Sequence, residues 1–124
     1  MKVWIPATLA VVFAAAAHAD CTYPRAPEKV PDGNTATRDE MVAAKKAFDA
    51  YNGEMTTYLT CMEGVIDNVM PKDTSKLSPD EKTKLENQQK IEVQKHDAAV
   101  DELQASVQRF NEQLHIFLDK NKKK

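Results

Sequence analysis

Between Thr37 and Pro71, large side chains recur at steps that alternate between three and four: Met41, Ala44, Phe48, Tyr51, Met55, Tyr58, Met62, Val65 and Val69. A mean period of 3.5 lines all nine along one side of an α-helix, and neither strand nor loop can use such a pattern. Leu59 and Ile66 widen the stripe. Its start is marked by Thr37-Arg38-Asp39-Glu40, where Thr37 can cap the third helical amide and Glu40 can reach back to the cap. Its end is marked by Pro71, so the spacing predicts a helix from about residue 38 to residue 69 or 70. A long helix with one apolar face must bury that face against something.

The partner is announced by Ser78-Pro79-Asp80-Glu81: a capping serine, proline at the first helical position, and acids at the positive helix end. Neither proline nor glycine follows Pro79, so this second helix is expected to run to about residue 119. Its distal half has a clear stripe of Val100, Leu103, Val107, Phe110, Leu114 and Phe117. Its proximal half, with Leu85, Ile91 and Val93 among Lys, Glu and Gln, shows none. The polar linker Lys72 to Leu77 is short enough to make the helices antiparallel neighbours. The fold class is therefore all-α, a long antiparallel two-helix hairpin over 37–124. A symmetric bend near residue 74 predicts Met62 across from Glu86 and Asn87, and Met55 across from Gln94 and Lys95.

Residues 20–36 hold Pro24, Pro27, Pro31 and the turn Pro31-Asp32-Gly33, and are expected to be an extended arm. Residues 1–19 read as a secretory signal peptide. Lys2 is the basic start, Val3 to Ala17 are almost continuously apolar, and Ala17-His18-Ala19 is a small-x-small cleavage site. Cleavage after Ala19 makes Asp20 the first mature residue. Cys21 then stands second, which argues against lipidation at a first-position cysteine. The expected address is the periplasm, and there Cys21 and Cys61 read as a disulfide. Sixteen steps of arm reach at most about 55 Å, whereas Cys61 lies about 36 Å up the helix from Thr37. The arm can therefore double back and be stapled to the first helix. A row of mostly small residues (Ala43, Ala47, Ala50, Glu54, Thr57, Cys61, Gly64) is its expected bed.

Taken together, Pro31-Asp32-Gly33, Ala36, Glu40-Met41, Ala43-Ala44, Tyr51, Met55, Tyr58-Leu59 and Cys61 resemble a pattern found in small exported proteins of Gram-negative bacteria. The resemblance covers about residues 21 to 62. It implies a periplasmic address and carries no activity to transfer.

Catalytic signals are absent from the chain. His96 and His115 have no second histidine or cysteine one helical turn away that would suggest zinc. Asp97, Asp101 and Glu102 read as a solvated helix face, and no phosphate loop or nucleophile elbow occurs. The expectation is a protein that is not an enzyme and takes no metal or cofactor. Without Lys2, 16 basic residues face 19 acidic ones, a balance with no field to recruit nucleic acid.

Two binding features remain. The poorly patterned start of the second helix leaves Met55, Leu59, Met62, Val65 and Ile66 as the expected surface for a protein partner or a second copy. The alternative is a weak contact of Lys120, Lys122, Lys123 and Lys124 with anionic lipid or cell-wall polymer.

Overall fold

The structure is a computed structural model that describes residues 20–124; the expected signal peptide, residues 1–19, lies outside them. Two helices make up the described chain, α1 (Arg38–Val69) and α2 (Pro79–Lys122), with no strand among the described residues. Each opens on the capping box its sequence announces. Thr37 Oγ1 accepts from the Glu40 amide while Glu40 accepts from the Thr37 amide at 2.7 Å. Ser78 and Glu81 repeat the exchange, with Pro79 at the first position. α1 stops before Pro71, as expected. α2 runs three residues past the expected end, because nothing in Lys120-Asn121-Lys122 opposes helix and two lysines favour its negative end.

The seam of α1 forms the core. Met41, Phe48, Tyr51, Met55, Tyr58 and Met62 are buried, and Phe48 stacks on Phe110 with ring centroids 4.8 Å apart. The matching seam on α2 is Leu85, Gln89, Glu92, His96, Ala99, Leu103, Ser106, Phe110, Gln113 and Phe117, every one buried or half-buried. Its steps of four and three are unbroken; only its chemistry turns polar towards the loop.

The register differs from that of a symmetric bend. His96 Nε2 lies 3.8 Å from Glu63 Oε1, Gln89 donates to the Ile66 carbonyl at 3.2 Å, and Met55 packs with Ala99 and Leu103. Met55 and Met62 thus meet α2 about one heptad further along than Gln94–Lys95 and Glu86–Asn87. The cause is the loop, which leaves α1 through the extended Met70 and enters α2 through the extended Ser78. α2 therefore begins beyond the end of α1, and in its first two turns only Leu85 is even half-buried.

The arm is stapled as expected: Cys21 and Cys61 form a disulfide with Cα atoms 5.7 Å apart. Its path is not the expected one. Ala43, Ala47, Ala50, Glu54, Thr57 and Gly64 are all exposed, and Gly53 and Gly64 face open space. From the staple the arm crosses Tyr58, which Tyr23 meets edge-on at 5.0 Å, and then follows the groove between the helices. Cys21 and Ala26 pack on one core cluster, Val30 and Ala36 on the other. The groove offers aromatic and methionine edges from two helices, whereas the alanine row offers only methyl groups, so burial of apolar area favours the groove.

The turn at Pro31-Asp32-Gly33 ends the arm against α2. Asp32 accepts from the amides of Asn34, Thr35 and Ala36. Gly33 is buried, and its amide donates to Gln113 Oε1 at 2.8 Å. A Cβ on Gly33 would stand 2.2 Å from the Gln113 carbonyl oxygen and 2.9 Å from the Phe117 nitrogen. Glycine is needed here for close approach of two backbones.

Candidate interaction surfaces

A two-helix hairpin has two long faces on which both seams surface. The arm covers one from Cys21 to Ala36. Towards the loop the same groove continues past the arm as an open trough of about 1080 Å³. Asp20 and the Cys21–Cys61 disulfide close one end, Val65, Val69 and Leu85 supply apolar walls, and Gln88, Glu92 and Lys95 supply the polar side. Glu92 is buried and held within its own helix: Gln88 donates to it at 2.7 Å and Lys95 reaches both oxygens at 3.2 and 3.3 Å.

Under the arm lies a small polar cluster. Arg109 donates to Ser106 Oγ at 3.0 Å and Ser106 donates to Glu102 at 3.1 Å. The Tyr51 hydroxyl beside them is buried without a well-formed hydrogen bond. Burial pushes the Tyr51 phenol above its ordinary pKa, and the Ser106 hydroxyl offsets only part of that. Burial likewise raises Tyr23. At the caps the effect is opposite: hydrogen bonds from Thr37 and Ser78 hold Glu40 and Glu81 below the ordinary carboxylate value.

No arm covers the opposite face, the open face. Val93, Val100, Val107 and Leu114 recur on it every seven residues along α2, followed by Leu118. On a helix these positions lie about 150° round from Glu102 and about 100–120° round from Gln113 and Lys120, the positions beneath the arm. Across the groove α1 contributes Val42, Leu59 and Ile66. Val42, Val93 and Leu118 are 46%, 38% and 45% exposed, three of the five most exposed large apolar side chains among the described residues. At mid-length the face is nearly free of charge: Asn52, Leu103, Gln104, Val107, Gln108 and Asn111 line a second groove of about 510 Å³ whose one charge is Glu112.

The expected partner surface is thus divided. Met55 and Met62 are 0% and 4% exposed and sit in the core of the folded hairpin, Met62 with an edge on the trough. Val65 lines the trough on the arm face, whereas Leu59 and Ile66, seven and fourteen residues beyond the open-face Asn52, fall on the same side of α1 as that residue. The expected tail surface divides too. Lys120 Nζ donates to the Asn34 carbonyl and so clasps the arm turn to α2, and Lys122, Lys123 and Lys124 are exposed at the helix end. The sequence reading places Val100, Val107 and Leu114 in one stripe with Leu103, Phe110 and Phe117; in the structure they are half-buried and, with Val93, recur every seven residues beside the seam rather than in it.

Among the described residues no helix is long and apolar enough to cross a membrane, and no group of three or more His, Cys, Asp or Glu is placed to hold a metal ion. Comparison with family models, with curated proteins and with solved structures finds no match to this chain.

Proposed function

We propose that this chain is a non-catalytic periplasmic protein that acts through protein–protein association, as an oligomer, a chaperone-like factor or a subunit of an envelope assembly. The observation that carries this reading is the open face: a ribbon of Val and Leu with an almost uncharged centre, on a chain that is otherwise 29% charged. Depletion of charge around exposed apolar side chains is the compositional mark of an interface core, and contiguous exposed apolar surface marks contact sites. The export signal at residues 1–19 and the Cys21–Cys61 disulfide support the periplasmic address.

The test is photo-crosslinking in intact cells with a photoreactive residue at Val107, at Ile66 or, as control, at Lys46. Protein adducts from the first two positions, with none from the third, support the reading. Equal yields at all three, or none, overturn it. Deleting residues 120–124 separates the tail alternative: adducts that persist while binding to anionic vesicles disappears assign the lysines a role of their own.

A further inference from the structure

The open face is self-complementary, and we propose that its partner is a second copy of this chain, packed face to face about a two-fold axis perpendicular to the helices. This rests on the association reading above and names its partner.

The α1 side of the ribbon runs from Val42 to Ile66, centred near residue 54. The contacts Phe48–Phe110, Glu63–His96 and Ile66–Gln89 place that level of α1 beside residue 103 of α2. A two-fold axis through this point reverses both helices at once. On α2 it sets Val100 against Val107 of the second copy and Val93 against Leu114. On α1 it sets Val42 against Ile66, Asn52 against Thr56, and Lys45 against Glu63. One axis therefore matches apolar with apolar in both helices, and on α1 also neutral polar with neutral polar and cation with anion; Asp49, ion-paired with Lys45 in its own helix, falls opposite Leu59 at the edge of the strip. Residues exchanged in reciprocal pairs are what an isologous dimer interface requires.

Size agrees. From Val93 to Leu118 the ribbon is about 38 Å long, and two adjacent helices present a strip about 20 Å wide, giving about 750 Å² per copy. A standard stable interface takes ~800 Å² from each partner. The product is a four-helix bundle in which Leu59, Val100, Val107 and Leu114 are buried in a shared core, while each arm lies on the outside.

Charge placement agrees with this end-for-end pairing. Lys45 pairs with its helix neighbour Asp49 at 2.6 Å, both side chains remaining 61% and 66% exposed, and Glu63 is 66% exposed beside the His96 ring. Turning the second copy end for end brings Lys45 within reach of an acid that its own chain leaves solvated.

Sedimentation equilibrium of the exported, disulfide-bonded chain reads the outcome. The expected mass is that of two chains. Val100→Glu with Val107→Glu should weaken association on the order of a hundredfold, because each places a charge in a desolvated seam, while circular dichroism shows the helices intact. Lys45→Glu or Glu63→Lys alone should weaken it severalfold, and the two together should restore it. These charge variants sit on exposed positions, so they test the pairing without threatening the fold. A monomer at high concentration, or a dimer indifferent to both the glutamate pair and the charge exchange, overturns the proposal. A monomer that still gives adducts to a different protein at Val107 in cells overturns self-pairing and leaves the association reading standing.

Discussion

Replacing Gly33 with alanine adds one methyl group, and its cost follows from where that methyl would go. The Cβ would sit 2.2 Å from the Gln113 carbonyl oxygen, with Ile116 Cβ and the Phe117 nitrogen both at 2.9 Å. All three belong to α2 at or next to its backbone, so no flexible side chain can swing aside. Either α2 bends or the arm turn lifts. Overpacking of this kind costs about 1–3 kcal/mol, and lifting the turn also breaks the bond from the Gly33 amide to Gln113, worth about 1 kcal/mol. The expected destabilisation is about 3 kcal/mol. Gly53 and Gly64 supply the internal control, since both are interior to α1 and a Cβ on either meets open space. Alanine there should stabilise by about 1 kcal/mol each through helix propensity alone. Urea melts of the disulfide-bonded chain, followed by circular dichroism, measure all three. Gly33→Ala within 0.5 kcal/mol of the parent on the order of experimental error, or the same sign at all three positions, refutes the close docking of the turn on α2.

Other outcomes follow from the same contacts. Tyr51→Phe removes a buried hydroxyl with no well-formed hydrogen bond and should stabilise by about 1 kcal/mol in the same melts; a loss of that size instead means the hydroxyl is satisfied. Glu40 and Glu81 have pKa values lowered from 4.5 by their caps, so their stabilisation is present above that value and is lost as pH falls through the folded values. The melting temperature should therefore fall below pH 4.5, less so in a Glu40→Gln, Glu81→Gln double variant; an unchanged slope removes the caps from the explanation. Reducing the Cys21–Cys61 bond, which closes a separation of 40 residues, should cost about 4 kcal/mol on the chain-entropy view with helical circular dichroism retained. Loss of the helices on reduction at neutral pH contradicts a hairpin that the staple only reinforces.

What the sequence makes legible is local. Thr37–Glu40, Ser78–Glu81 and Pro71 act within one turn, and they place the helix starts and the end of α1. The disulfide is expected from two cysteines behind a stretch that reads as an export signal. Features settled by contacts between distant segments come out differently. The path of the arm depends on which surface buries more, and the groove with Tyr58 and Phe48 outbids a row of alanines that looks inviting on a helical wheel. The register depends on a loop whose ends are extended, so a symmetric bend puts Met62 about a heptad away from its true neighbours. The seam of α2 passes through Gln89, Glu92 and His96, which a search for apolar residues skips although the four-three spacing never breaks. Glu92 tolerates the seam because Gln88 and Lys95 satisfy its carboxylate from the same helix. The open-face ribbon is legible by spacing alone, but its exposure emerges only once the arm is seen to lie on the other side.

The claim at the centre of this account is that the uncovered face of the hairpin is where the chain associates, copy to copy. Its most direct test is an isotope-filtered NOE experiment on a mixture of labelled and unlabelled disulfide-bonded protein at high concentration. The account predicts intermolecular methyl contacts between Val100 and Val107 and between Val42 and Ile66, with none from Val30 or Ala26 on the arm. Methyl contacts confined to a single chain, or intermolecular ones that map to the arm face, would contradict it.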